Sequence, residues 1–212
     1  NDAIEEARQV LRQDERNVLA KLAVAEAYRA QGRNDLALYI VNDLINGSDP
    51  NHPNNGPGAN NAQVHHLRAM LQIEVERNVP AAITSLQRAV EIDPQYAEAR
   101  NNLGVQYLAT GNYQQAMDQL SAAAALSPSW AKAHLNLGDV MRATGQFDQA
   151  LAEFQRVQQL DASLVEVHYN LGRLYAEQSR SVGSQSVDDL QRKIQLLQQA
   201  QAAFTRFRDT LG

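Results

Sequence analysis

An all-α solenoid of stacked antiparallel helix pairs is the fold class this sequence predicts, and three observations predict it. A Leu-Gly pair recurs at a fixed 34-residue spacing, as Leu103-Gly104, Leu137-Gly138 and Leu171-Gly172. A period of roughly 20 to 50 residues marks a chain of stacked units, because no single unit can bury its apolar face alone. Hydrophobic residues make up 44% of the 212 residues, yet 32 of them are Ala and only 6% of the chain is aromatic. That balance suits closely packed helices better than strands, which favour aromatic and β-branched side chains. Within each period the apolar residues fall at helical spacing, with a Gly-containing turn at Gly32, Gly111 and Gly145 dividing two helices.

The elements follow in order. Residues 2–17 carry Ala3, Ala7, Val10 and Leu11 on one helix and match the second half of a repeat whose first helix is missing. The chain is therefore expected to begin mid-repeat, with part of that strip facing an upstream neighbour. Residues 18–51 form a diverged repeat through Val24-Ala25, Tyr28, Gly32, Ala37, Val41 and Leu44. The eleven residues 52–62, HPNNGPGANNA, are a surplus whose Pro, Gly and Asn cannot continue a helix, and they read as an inserted loop. Residues 63–96 lie one period before Ala97, with Ala69, Met70, Ile73, Ala82, Leu86, Ala89 and Pro94 in register.

The pattern is fullest in 97–130 and 131–164. Leu-Gly is followed by Tyr107 or Met141, Gly111 or Gly145, Ala116 or Ala150, Leu120 or Phe154, and Ala123 or Val157, with Pro128 closing the first. This resembles the tetratricopeptide repeat (TPR) family, strongly over 97–179, and the resemblance implies a right-handed superhelix with a concave groove. Residues 165–212 are a diverged final repeat, where a polar linker at 180–186 leads into a helix from about 187 to 211. Val187, Leu190, Ile194, Leu197, Phe204 and Leu211 follow a 3-4-3 rhythm there, interrupted by Gln201 and Arg208. At 1.5 Å per residue this helix extends about 36 Å, more than is needed to cap one repeat.

The resemblance also implies where function sits. In TPR proteins the first helix of each repeat faces the groove, and three consecutive repeats carry Asn at its sixth position: Asn102, Asn136 and Asn170. A carboxamide offers a donor and an acceptor, so such a ladder can hold the backbone of an extended peptide. The same surface is expected to present Val105, Leu108, Leu71, Leu135 and Tyr169 beside Lys132, Asp139, Arg142, Arg173, Arg68, Glu98 and Glu166. That mixture favours a ligand that is partly apolar and partly polar. A carboxylate clamp is disfavoured, since Leu22 and Glu26 stand where such clamps use Lys and Asn.

Other chemistries find no support. The net charge of −5 offers no field for nucleic acid. The absence of Cys removes disulfides, thiol nucleophiles and thiolate metal sites, and no apolar run reaches the length of a membrane span. His66, His134 and His168 recur at the fourth position of their repeats, one repeat apart, and read as packing residues with no metal bound. Trp130 opens a helix and reads as core, and Asn46-Gly47-Ser48 is a short, common glycosylation motif. No nucleophile elbow, phosphate loop or isolated carboxylate pair is present, so neither catalysis nor a cofactor is expected.

The reading is a scaffold or adaptor with a protein or peptide partner. The alternative is a structural protein that forms homo-oligomers through its terminal helices. The bias to 16 Arg against 3 Lys, with 23 Gln, suggests a GC-rich bacterial genome. Bacterial TPR proteins of this size often serve motility, pilus or secretion machinery of the cell envelope as lipoproteins. A periplasmic or outer-membrane-anchored location, through a lipidated Cys upstream of Asn1, is therefore favoured slightly over the cytoplasm.

Overall fold

The computed structural model describes residues 2–47 and 55–211, and among them are eleven α-helices and no strand. In chain order these are α1 (Asp2–Gln13), α2 (Val18–Ala30), α3 (Asn34–Asn46), α4 (Ala62–Glu74), α5 (Val79–Ile92), α6 (Ala97–Ala109), α7 (Tyr113–Leu126), α8 (Ala131–Ala143), α9 (Phe147–Leu160), α10 (Glu166–Ser181) and α11 (Val187–Thr210). The expected α-solenoid of helix pairs is the fold observed. The chain divides into two compact units, residues 1–103 and 104–212, with the division inside α6.

In the first compact unit, each helix from α1 to α5 packs on its neighbour in sequence. Leu22 and Ala25 of α2, Val41, Leu44 and Ile45 of α3, and Val64, Leu67 and Leu71 of α4 form one buried cluster. A smaller cluster joins Ala7 of α1 to Ala20 and Val24 of α2, while Val10 of α1 stays exposed. In the described part of the inserted segment, the Gly56 N–H donates to the Ile45 carbonyl and the Gly58 N–H to that of Leu44, both at 2.8 Å. The segment thus supplies partners for carbonyls at the end of α3. Only Gly fits at 56, because a Cβ there would lie 2.2 Å from the Leu44 oxygen. Residues 52–54 of the expected loop lie outside the described residues, and Ala62 already belongs to α4.

Helix α4 runs one residue out of the expected register. At three inter-helix turns the backbone N–H bonds a carbonyl five residues back, Arg33 to Tyr28, Asn112 to Tyr107 and Gln146 to Met141, with Gly32, Gly111 and Gly145 at positive φ. The turn after α4 closes over six residues, from Asn78 to Gln72, and Arg77 takes the positive φ at 52°. One extra residue in that turn moves the whole of α4 back by one relative to α5. His65, not His66, therefore matches His134. Both rings reach a carbonyl six residues upstream, His65 Nε2 to Ala59 at 2.9 Å and His134 Nε2 to Pro128 at 3.1 Å. In the same register Arg68 aligns with Leu103, Leu137 and Leu171, and Ala69 aligns with the glycines that follow them.

In the second compact unit, α7 to α11 again pack in sequence order. Ala131, Leu135, Ala150, Phe154, Val157, Val167, Leu171, Leu174 and Ala203 form its core, and Trp130, expected there, is only half-buried. α10 continues through Ser181, so the linker is shorter than expected. Ser186 then caps α11 in a reciprocal pair with Asp189. Leu120 packs over Gly104 and Phe154 over Gly138, each sixteen residues on, whereas Phe204 covers Gly172 from twice that distance. The second helix of the last repeat is therefore the C-terminal half of α11, and the linker and first turns of α11 are an extension.

Candidate functional site

On α8, Lys132, Asn136 and Asp139 are spaced four and three residues apart and share one helix face. One period later Glu166, Asn170 and Arg173 repeat the spacing on α10. Residues at matching positions carry opposite charges and bridge the helices. Lys132 Nζ lies 3.5 Å from Glu166 Oε1, and Arg173 Nη1 lies 3.9 Å from Asp139 Oδ1. A turn further along, Arg142 bonds Asp139 at 2.7 Å and also pairs with Glu177 of α10. Asn136 and Asn170 lie in sequence between the two matched pairs. The face holds three cations and three anions, so its charge balances and a ligand gains little there from net charge alone.

Three residues expected to face a ligand do not. Leu135 is 3% exposed and belongs to the core with Phe154 and Val157. The position that is exposed on α10, as Tyr169, is turned into the packing on α8, as Leu135. Arg142 is 5% exposed; burial opposes its charge, but hydrogen bonds to Asp139 and Glu177 outweigh this and raise its pKa above the ordinary value. Its guanidinium is committed inside the protein, and with it one oxygen of Asp139. Leu71 is likewise core, in the first compact unit. Val105 and Leu108 are half-buried on α6. Tyr169 remains 43% exposed, with Phe207 and Phe204 of α11 at centroid distances of 5.4 and 5.9 Å and Arg173 over its ring at 5.9 Å.

The three asparagines differ. The Asn102 amide donates to His66 Nε2 at 2.7 Å, and its oxygen accepts from Asn101 at 3.3 Å. His66 Nδ1 pairs with the Tyr96 hydroxyl at 2.9 Å. Burial lowers the His66 pKa to about 4 and pushes Tyr96 up to about 12, so this cluster is neutral and structural. Asn136 has a partner within the protein. Asn170 is half-buried and its carboxamide makes no side-chain hydrogen bond among the described residues. Glu177, Phe204 and Phe207 were not legible as parts of this surface, although comparing charges one period apart would have exposed the Lys132/Glu166 and Asp139/Arg173 pairs.

Among the described residues no group of three His, Cys, Asp or Glu is placed to hold a metal, and no helix is long and apolar enough to cross a membrane. His134 is buried against Glu153, Nδ1 to Oε2 at 2.6 Å, and His168 is half-buried.

Family models described as TPR repeat match residues 78–111 and 138–179, and models described as tetratricopeptide repeat match 1–53 and 97–129. No curated protein sequence matches the chain. Among solved structures, it is similar to YrrB, "a TPR protein with an unusual peptide-binding site", at 16% identity and TM-score 0.67 over 95% of this chain and 99% of that one. It is also similar to MamA, at 20% identity and TM-score 0.63 over 88% of this chain and 97% of that one. For MamA 41-end from Desulfovibrio magneticus RS-1 the values are 17% and 0.66 over 99% and 96%.

Proposed function

Because this chain belongs to the tetratricopeptide repeat family, a family of protein-interaction scaffolds that are typically not catalytic, we propose that it is an adaptor of a multiprotein assembly that holds an extended peptide or partner helix on the exposed face of its first helices. The observation that carries this reading is the α8–α10 face. Its ionic groups neutralise one another across the helices, while the Asn170 carboxamide and the Tyr169 ring stay available. A ligand with many backbone amides and a few apolar side chains fits that combination, because the amides use Asn170 and the side chains use the Tyr169 ring. The Arg-rich, Lys-poor composition supports a bacterial source, and cell-envelope machinery for motility, pilus assembly or secretion is the assembly we favour.

Titration of peptides selected by display against the chain tests this. Asn136→Ala with Asn170→Ala should weaken binding at least tenfold and lower stability by no more than about 1 kcal/mol, since both residues are half-buried and only Asn136 loses a partner within the protein. Equal affinity for the double variant would remove the ladder from the mechanism.

A second reading, self-association, is favoured by α11. Val187, Leu190, Ile194 and Leu197 are 70, 47, 55 and 48% exposed along one edge of the helix, and Phe204 and Leu211 continue that edge. The occupant we assign is the α11 of a second copy, running antiparallel. Helix α11 is 24 residues long, whereas first helices such as α8 have 13. Antiparallel pairing centred on Gln199 sets Gln201 against Leu197 and Arg208 against Leu190, whereas parallel pairing would stack Arg208 on its own copy. Light scattering over a concentration series should show dimers for the native chain and monomers for Ile194→Asp. A native chain that stays monomeric at all concentrations sinks this reading.

A further inference from the structure

The register shift of α4 leaves an arginine inside a helix pair. Arg68 occupies the position that Leu103, Leu137 and Leu171 fill with apolar side chains that are at most 7% exposed. Its Nε is fully buried and has no hydrogen-bond partner among the described residues. A charged donor without an acceptor costs more than the about 1–3 kcal/mol of a neutral one, so a ligand oxygen that reached this guanidinium through the cavity it lines would be stabilising. Neighbouring positions are polar as well. Gln72 stands where other repeats have Tyr107, Met141 and Tyr175, and its Oε1 accepts from the buried Ser85 hydroxyl at 2.8 Å.

Arg68 lines a cavity of about 460 Å³ between α4, α5 and the inserted segment. Arg88 and Thr84 approach from α5, His65 from α4, and Asn60 from the segment that caps α3. Arg88 is held there by Asn60 Oδ1 at 3.0 Å and by Glu91 at 3.3 Å. Glu91 neutralises one guanidinium, burial holds the His65 pKa below its ordinary value, and among the described residues no acid pairs with the second positive charge, on Arg68. No Phe, Tyr or Trp ring is among the residues that line the cavity. Guanidinium groups with hydroxyl and amide donors are the chemistry that binds carboxylate and phosphate oxygens.

We propose that this cavity is an oxyanion-binding site, in which Arg68 and Arg88 hold a phosphate or carboxylate group and the ligand ties the inserted segment to the α4–α5 pair. The site is separate from the α8–α10 face and does not depend on how that face is used. The repeat pattern supplies its own control, because Arg68→Leu restores the residue that three other repeats carry and should fold at least as well as the native chain.

Thermal melting is followed in increasing inorganic phosphate, in increasing glutarate, and in chloride at matched ionic strength. Phosphate stabilises many proteins without binding a defined site, so the readout is the difference between native chain and variant. The native chain should show a saturable rise that Arg68→Leu loses, with at least a tenfold loss of fitted affinity and a smaller loss for Arg88→Gln. Line broadening of the ³¹P signal of phosphate should appear with the native chain and vanish with Arg68→Leu. A rise with phosphate alone assigns a phosphate site, a rise with glutarate alone a carboxylate site, and a rise with both a general oxyanion site. Identical responses of native chain and Arg68→Leu to both anions, or no response to either, overturn the proposal and leave Arg68 hydrated.

Discussion

Phe204 lies so close over Gly172 that a Cβ on the glycine would come within 2.6 Å of the ring carbons Cδ1 and Cε1. Replacing Gly by Ala inside a helix ordinarily stabilises it by about 1 kcal/mol. Here the ring must move instead, and overpacking of this kind costs about 1–3 kcal/mol. Gly172→Ala should therefore lower the urea midpoint. The smaller side chain of Phe204→Leu should recover part of the loss when the two changes are combined, which a double-mutant cycle measures as a non-additive term.

Arg142 should matter for stability more than the exposed pairs around it. Its side chain is 5% exposed, and its carboxylate partners Asp139 and Glu177 are 24% and 30% exposed. Arg142→Ala leaves both carboxylates with Arg173 as their one cation among the described residues, at 3.9 Å from each. Breaking a fully buried pair costs about 3–5 kcal/mol, and partial exposure of the acids reduces this to about 2 kcal/mol. Lys132→Ala, at a mostly exposed pair, should change stability by less than about 1 kcal/mol. Equal effects of the two substitutions in denaturant titrations would refute this ranking.

Stability should fall as pH drops below about 6.5. His66 takes up a proton near pH 4 in the folded chain, against an ordinary value of 6.5, because burial disfavours its charged form. Between these values the unfolded chain binds more protons, so stability rises with pH across the window and is progressively lost from 6.5 down to 4. His65 and His168 are lowered by burial in the same sense. The His66 share reaches about 3 kcal/mol once the group is charged. His66→Gln should flatten the slope of melting temperature against pH between 6.5 and 4.5, and an unchanged slope would show that His66 is not its source.

Arg77 holds a positive φ of 52° that costs a residue with a Cβ about 1 kcal/mol. Gly32, Gly111 and Gly145 take the corresponding conformation in their turns without that cost. Arg77→Gly should raise stability by up to about 1 kcal/mol, less the greater entropy it gives the unfolded chain. Arg77→Val, with a branched Cβ, should lower it. The two substitutions moving the melting temperature in the same direction would contradict the strained-turn account.

The architecture was legible from the sequence because repetition multiplies a weak signal. One Leu-Gly pair says little, but three at one spacing, each followed by a large residue and a turn glycine, leave a helix pair as the arrangement that buries the apolar residues together. Helix ends before Gly111 and Gly145 followed from the same local chemistry. Side-chain roles at equivalent positions were not legible. Asn102, Asn136 and Asn170 are identical in sequence terms, yet only Asn102 meets His66, because the extra residue at the α4 turn alters what α4 presents. Leu135 and Tyr169 share a position, yet one is core and the other lies exposed beside Phe204 and Phe207.

The sequence by itself thus determined the helix pairs, their order and the stripe of apolar residues each would bury. Those follow from periodicity and backbone propensity, which act between residues close in the chain. Only the tertiary structure decided that the last repeat takes its second helix from the C-terminal half of α11, that Arg142 is locked between two acids, and that Arg68 faces a cavity. These outcomes depend on which distant segments meet. A glycine accepts whichever ring arrives, and a buried charge is tolerated or exposed according to partners that local sequence does not name.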